Sequence, residues 1–193
     1  MSIIARIDFD LVQSIARDFR EGRKGDWQTL RGADLHAPTI LNPQARSWKC
    51  LRHLDQAGGN YAFLFPQASF TEERQIVLHG PSKRKIPFCY SAANHPATRD
   101  GQFVAYVGKA ANLKKRFQGH FGITDKSTSA QVQHGLVNSG VCSDRGEAID
   151  FILKHATIAY LPLPGVANVA NRDLLELTMC ADFAPPFNIK SER

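Results

Sequence analysis

Residues 103–121, FVAYVGKAANLKKRFQGHF, decide the fold, because the period of their apolar positions changes partway along. Phe103 to Gly108 is an apolar and aromatic run of strand length without clean alternation, which predicts a central strand covered on both faces. From Asn112 the spacing becomes helical, with Leu113, Phe117 and Phe121 in one row and Asn112 at the cap position. A strand, a glycine and a helix start in succession aim backbone donors at one point, an arrangement suited to phosphate.

Working outward, GGNYAFLF at 58–65 predicts a second central strand. The insertion between the two strands, at about 66–101, carries the basic cluster Lys83, Arg84 and Lys85. Near the N-terminus, Leu11, Ile15 and Phe19 recur every four residues behind Asp8 or Asp10, so an amphipathic helix is expected there. Arg17, Arg20, Arg23 and Lys24 extend a basic strip from its far end. Residues 22–46 hold Gly22, Gly25, Gly32, Pro38 and Pro43 and read as loops and turns, and a short helix is expected through 47–56.

Downstream, 128–138 reads as a helix ending at Gly140. Asp144 with Glu147 can open another through His155, 157–163 reads as a strand, and a last helix over 168–183 is stopped by Pro185 and Pro186. The expected architecture is α+β, with a small central sheet of about three strands flanked by helices. Residues 1–57 form an N-terminal helical extension, for DNA contact or dimerisation, and 58–193 the main domain.

A chain of 193 residues fits one domain with one substantial core. It contains no apolar run of the roughly 18 residues that a membrane span needs, and MSIIARIDFD does not read as a signal peptide, so a cytoplasmic protein with no membrane partner is expected. Cys50, Cys89, Cys142 and Cys180 lie far apart with no C-x-x-C pair, which points to free, mostly buried thiols. Net charge is +6, and residues 102–130 hold five basic residues against one acidic, whereas 131–193 hold five against seven. The positive field therefore centres on one short segment, as a polyanion-binding surface requires, although a solvated helix face would look the same.

Two further features carry chemistry. Leu174, Leu175, Leu177, Met179, Cys180 and Phe183 surround most of the last helix, so Glu176 is expected to be buried among them. A buried carboxylate requires a cation, and from pattern alone either an arginine salt bridge or a metal ion meets that need. Arg116 and His120 lie four apart beside the Leu113 and Phe117 row, where both heads are partly shielded and can grip a phosphate and relay a proton, while Lys114 and Lys115 point to solvent.

GGNYAFLF, AYVGKAANLKKRF and LLELTMCADFAPPFN together resemble the successive motifs of the GIY-YIG nucleases, in that family's order. The first tripeptide is degenerate, with Asn60 between Gly59 and Tyr61, and the second is close, in Tyr106, Val107 and Gly108. The N-L-x-x-R pattern stands in Asn112, Leu113 and Arg116, and Asn188 follows Glu176 by twelve residues. Tyr61 and Tyr106 are 45 residues apart, farther than is usual in the family but similar to its stand-alone restriction enzymes.

The resemblance implies a divalent-metal-dependent DNA endonuclease, with Mg2+ or Mn2+ held by Glu176. It assigns Arg116 to the phosphate and favours Tyr61 as the general base, the choice between Tyr61 and Tyr106 staying open, with Lys109 supplying the positive field that a tyrosine base needs. Tyr106 and His120 would orient the water or shuttle its proton, and Asn188 would brace the metal-bearing helix. Lys83, Arg84, Lys85, Lys114 and Lys115 are the expected DNA-backbone contacts. Within the class, a small chain without a targeting module points to a type II restriction enzyme acting as a homodimer on DNA, with a cognate methyltransferase. The alternatives are a repair, mobile-element or toxin nuclease, a catalytically silent nucleic-acid-binding module, and a basic adaptor protein.

Overall fold

The computed structural model describes residues 7–35, 48–66, 69, 74–79, 85–90, 98–99, 101–122 and 130–188, of which 74–79, 85–90 and 98 are described by their backbone alone. Seven strands occur among them: β1 (Gln28–Arg31), β2 (Gly59–Pro66), β3 (Arg74–His79), β4 (Lys85–Tyr90), β5 (Thr98–Arg99), β6 (Gln102–Ala110) and β7 (Thr157–Pro162). Five helices accompany them: α1 (Phe9–Arg20), α2 (Leu113–His120), α3 (Gln131–Asn138), α4 (Arg145–His155) and α5 (Val169–Phe183). The fold is α+β, built on an antiparallel sheet in the order β1-β7-β2-β6-β5, while β3 and β4 pair separately. Its centre is the expected triplet β7-β2-β6, to which β1 and the two-residue β5 add edges.

Both faces of the sheet are covered, which is why β2 and β6 are apolar at successive positions. One face, with Tyr61, Phe63, Phe65, Tyr106 and Ile158, packs beneath Leu113, Phe117 and Phe121, Val132 and Leu136 of α3, and Ile152 of α4. The other, with Ala62, Leu64, Val104, Val107 and Leu161, packs against α1 and α5. A bulge in the β2–β6 ladder after Phe63 puts two residues of β6, Ala105 and Tyr106, in the same apolar layer.

Several expectations shift by one turn or one residue. Asp8 caps α1 by accepting from the Leu11 N–H, but the buried row is Val12, Ile15, Ala16 and Phe19, and Leu11 is 37 % exposed. The helix packs on α5 and so covers its own core, with Asp8 N–H donating to Asn171 Oδ1 at 2.8 Å. β1 lies inside the stretch read as loops; it is a four-residue edge with one buried side chain, too short to show a period. The short helix is a 3-10 turn over Lys49–Leu54. Asp144 caps α4 through the Glu147 N–H, and Glu147 reaches back one residue past the cap, to the Ser143 N–H and hydroxyl. Among the described cysteines, Cys142 and Cys180 are buried thiols and Cys50 is exposed. No helix of the described residues is long and apolar enough to cross a membrane.

Past its pairing with β5, the outer side of β6 is closed by the chain that follows α5. Ala184 takes a left-handed conformation after α5, and Pro185 and Pro186 carry the chain back along the strand. There the Phe187 N–H donates to Ala105 O at 3.0 Å. Asn188 then uses both ends of its amide on Val107, accepting from the N–H at 2.9 Å and donating to the carbonyl at 2.6 Å, as a neighbouring strand would. Asn188→Leu leaves both Val107 groups buried and unpaired, so it should lower unfolding free energy by about 2–4 kcal/mol in urea titrations. A loss below about 1 kcal/mol would mean that Val107 finds other partners.

Candidate active site

The β2–β6 register sets Tyr61 across from Gly108 and Phe63 across from Tyr106, so both tyrosines project into the layer beneath α2. A Cβ on Gly108 would stand 2.7 Å from the Tyr61 hydroxyl and 2.9 Å from Cε1 of Tyr106. The missing side chain lets the two rings lie 5.9 Å apart. Over them runs α2, started by Asn112, whose Oδ1 accepts from the Lys115 N–H at 2.8 Å. The helix brings fully buried His120 against the rings, with Nε2 2.9 Å from the Tyr61 hydroxyl. The other imidazole nitrogen, Nδ1, is buried with no hydrogen-bond partner among the described residues. Arg116, one turn earlier and half-buried, exerts its charge on Tyr61, Tyr106 and His120. Tyr106 donates its hydroxyl proton to Gln131 Oε1 on α3 at 2.7 Å.

The acidic side of the site comes from α5, across the sheet. Lys109 of β6 reaches that helix, with its ammonium 2.7 Å from Glu176 Oε2 and 3.2 Å from Asp173 Oδ1. Glu176 is not enclosed as the sequence predicts: its side chain is 19 % exposed and Leu177 beside it is 54 % exposed, because α5 buries one face only. The Glu176 charge is nevertheless felt at both tyrosine hydroxyls. Of the two partners open from the sequence, a salt bridge is present, and its cation is a lysine.

Burial dominates the proton affinities. It raises the Tyr61 phenol well above its ordinary value, reinforced by Tyr106 and opposed by Arg116. Burial likewise raises Tyr106 to about 12, with the adjacent Tyr61 hydroxyl and Arg116 pulling the other way. Desolvation, helped by Arg116, pushes His120 down to about 3, so its imidazole is neutral at physiological pH. Burial alone would lower Lys109, but Glu176 and Asp173 outweigh it and hold the ammonium above its usual range. Of the charges acting on Tyr61 the positive one is Arg116, while Lys109, the expected source, is paired with two carboxylates.

The donor set fits a cation held by one carboxylate and its own waters, as magnesium is often held, rather than an all-protein cage. Among the described residues no group of three His, Cys, Asp or Glu side chains could hold a metal ion. The structure thus brings together Tyr61, Tyr106, Arg116, His120, Lys109 and Glu176, with Asn188 clamping β6 beside Tyr106 and Gly108. Lys114 is engaged with Asp55 at 2.6 Å, and Lys115 is exposed. Lys83 and Arg84 lie outside the described residues, and Lys85 begins β4. Sequence reasoning missed Gln131 and Asp173; the latter was detectable one turn before Glu176, whereas nothing marked Gln131. No family model matches the chain, and neither a curated protein nor a solved structure matches it significantly.

The buried histidine has a consequence for stability. A folded value near 3 against an ordinary 6.5 means that the unfolded chain binds the extra proton between those limits, so stability falls as pH drops through that window. His120→Gln should flatten the loss measured in urea between about pH 7 and pH 5, since His134 and His155 are unchanged in the variant. Parallel pH profiles would show that His120 titrates normally in the folded protein.

Proposed function

We propose that the chain is a divalent-metal-dependent endonuclease that hydrolyses phosphodiester bonds in DNA, of the GIY-YIG type, using Mg2+ or Mn2+. One observation carries this reading: two strand tyrosines with rings 5.9 Å apart, one bonded to His120 at 2.9 Å, have the Arg116 guanidinium of α2 and the Glu176 carboxylate of α5 near enough to exert opposite charges on them. Phosphodiester hydrolysis requires those opposite charges near a proton-transfer group, because the water must lose a proton while charge grows on the phosphoryl oxygens.

Glu176 would hold the cation, which when bound supplies neutralising charge to the phosphoryl oxygens. Arg116 has the forked geometry to bind a phosphate oxygen, and its position beside the tyrosines keeps the scissile group near them. Tyr61 is the general base in this reading. Its buried phenol stays protonated until positive charge accumulates around it, which ties proton removal to a filled site. Tyr106 orients the water. Lys109 holds Glu176 against α5, keeping the carboxylate in place before DNA arrives.

A type II restriction enzyme acting as a homodimer is the form we favour, with a repair, mobile-element or toxin nuclease as the alternative. Incubation with mixed-sequence plasmid and Mg2+ tests the proposal. Native protein should cut, a discrete band pattern should mark sequence specificity, and Glu176→Gln should abolish cleavage while keeping or strengthening DNA binding. Full magnesium-dependent activity in that variant would remove the metal-ligand assignment. Binding without cleavage in the native protein would favour a silent nucleic-acid-binding module.

A further inference from the structure

Asp173 and Glu176 stand one turn apart on α5, and the Lys109 ammonium bonds to both, 3.2 Å from Asp173 Oδ1 and 2.7 Å from Glu176 Oε2. The three side chains are not held alike. Lys109 leaves β6 directly across from Asn60 of β2, whose fully buried amide donates to the Arg172 carbonyl at 2.9 Å. The Arg172 guanidinium in turn donates to the carbonyls of Leu163 and Gly165, in the chain between β7 and α5. The backbone of α5 is thus tied to the sheet at the residue before Asp173, and both carboxylates have fixed roots. The adjustable member is Lys109, with a flexible four-carbon stem and a side chain 41 % exposed. Exposure also grades its partners, at 19 % for Glu176 and 51 % for Asp173. An ammonium passing from the first to the second moves toward water without losing an ionic partner.

We propose that Lys109 occupies Glu176 in competition with a divalent cation and cedes it by shifting to Asp173, which is thereby a positioning residue for the metal ligand. Two positive charges on one carboxylate repel each other, and the doubly charged one gains more from it. While Lys109 is bonded to Glu176 it lowers the apparent metal affinity in proportion to the time that the carboxylate is engaged. Without Asp173, a displaced Lys109 would give up its ion pair altogether. With it, the replacement bond is one that Lys109 already makes, so the exchange needs no movement of β6 or α5. Asp173 acts through Lys109 and is not itself a ligand of the cation. The inference rests on the proposed reading of Glu176 as the metal ligand.

Titration of the full chain with Mn2+, with the free ion followed by electron paramagnetic resonance, tests the exchange without relying on cleavage. Lys109→Met removes the competitor and should tighten Mn2+ binding roughly five- to tenfold. Asp173→Asn strands the displaced ammonium and should weaken binding by about as much. Once Lys109→Met is in place, adding Asp173→Asn should change binding by less than about twofold, because Asp173 has nothing left to receive. Equal weakening by Asp173→Asn in both backgrounds would mean that Asp173 acts on the cation directly and would overturn the exchange, as would unchanged binding in Lys109→Met. Glu176→Gln should abolish binding with or without Lys109. Mn2+ bound equally well by Glu176→Gln, or by neither the native protein nor Lys109→Met, would remove the metal assignment and the exchange together. Binding that needs Glu176 but is indifferent to Lys109 would overturn the exchange alone and leave the nuclease reading standing.

Discussion

Gly108 lies directly across from Tyr61 in the β2–β6 ladder, where a Cβ would stand 2.7 Å from the Tyr61 ring and hydroxyl. The rest of the site depends on that empty volume. With any side chain there, Tyr61 would have to swing away from His120 and lose its hydrogen bond to the imidazole. The strand carrying this glycine also has to be held in register, and the bulge after Phe63 and the Asn188 clamp on Val107 do so from either side. Glycine, bulge and clamp together turn a stretch of plain central strand into a platform for two buried phenols.

The charges around that platform are separated by the sheet. Arg116 belongs to the α2 layer and Glu176 to the α5 layer, and their influence meets at the tyrosines. Lys109 pairs with Glu176 and Asp173 and so partly offsets the acidic side, while Arg116 is the cation that acts on the phenols. A negatively charged substrate approaching such a site meets a guanidinium that is half-buried and partly desolvated, where electrostatic attraction is stronger than at an exposed lysine.

Much of this was legible in the sequence because it rests on local signals. The change of period after Gly108, the Asn112 cap and the doubly buried strands are all written in neighbouring residues, and they place Tyr61, Tyr106, Arg116 and His120. What was not legible depends on packing between elements. The row Leu11, Ile15, Phe19 and the observed row Val12, Ile15, Ala16, Phe19 both suit a helix, and only the direction of α5 chooses between them. The apolar residues of α5 suggested burial all round, yet Leu177 points away from the sheet, so Glu176 opens toward solvent. Gln131 could not have been found at all, since its role comes from where α3 ends up relative to Tyr106.

The proposed function depends on a divalent cation held by Glu176, whose charge would act on both phenols. Paramagnetic broadening by Mn2+ measures that most directly, in protein with labelled tyrosine rings bound to a non-cleavable duplex. The account predicts that the Tyr61 and Tyr106 ring signals lose intensity first, and that Glu176→Gln abolishes the effect. Intact Tyr61 and Tyr106 signals at saturating Mn2+, or equal broadening in the variant, would contradict it.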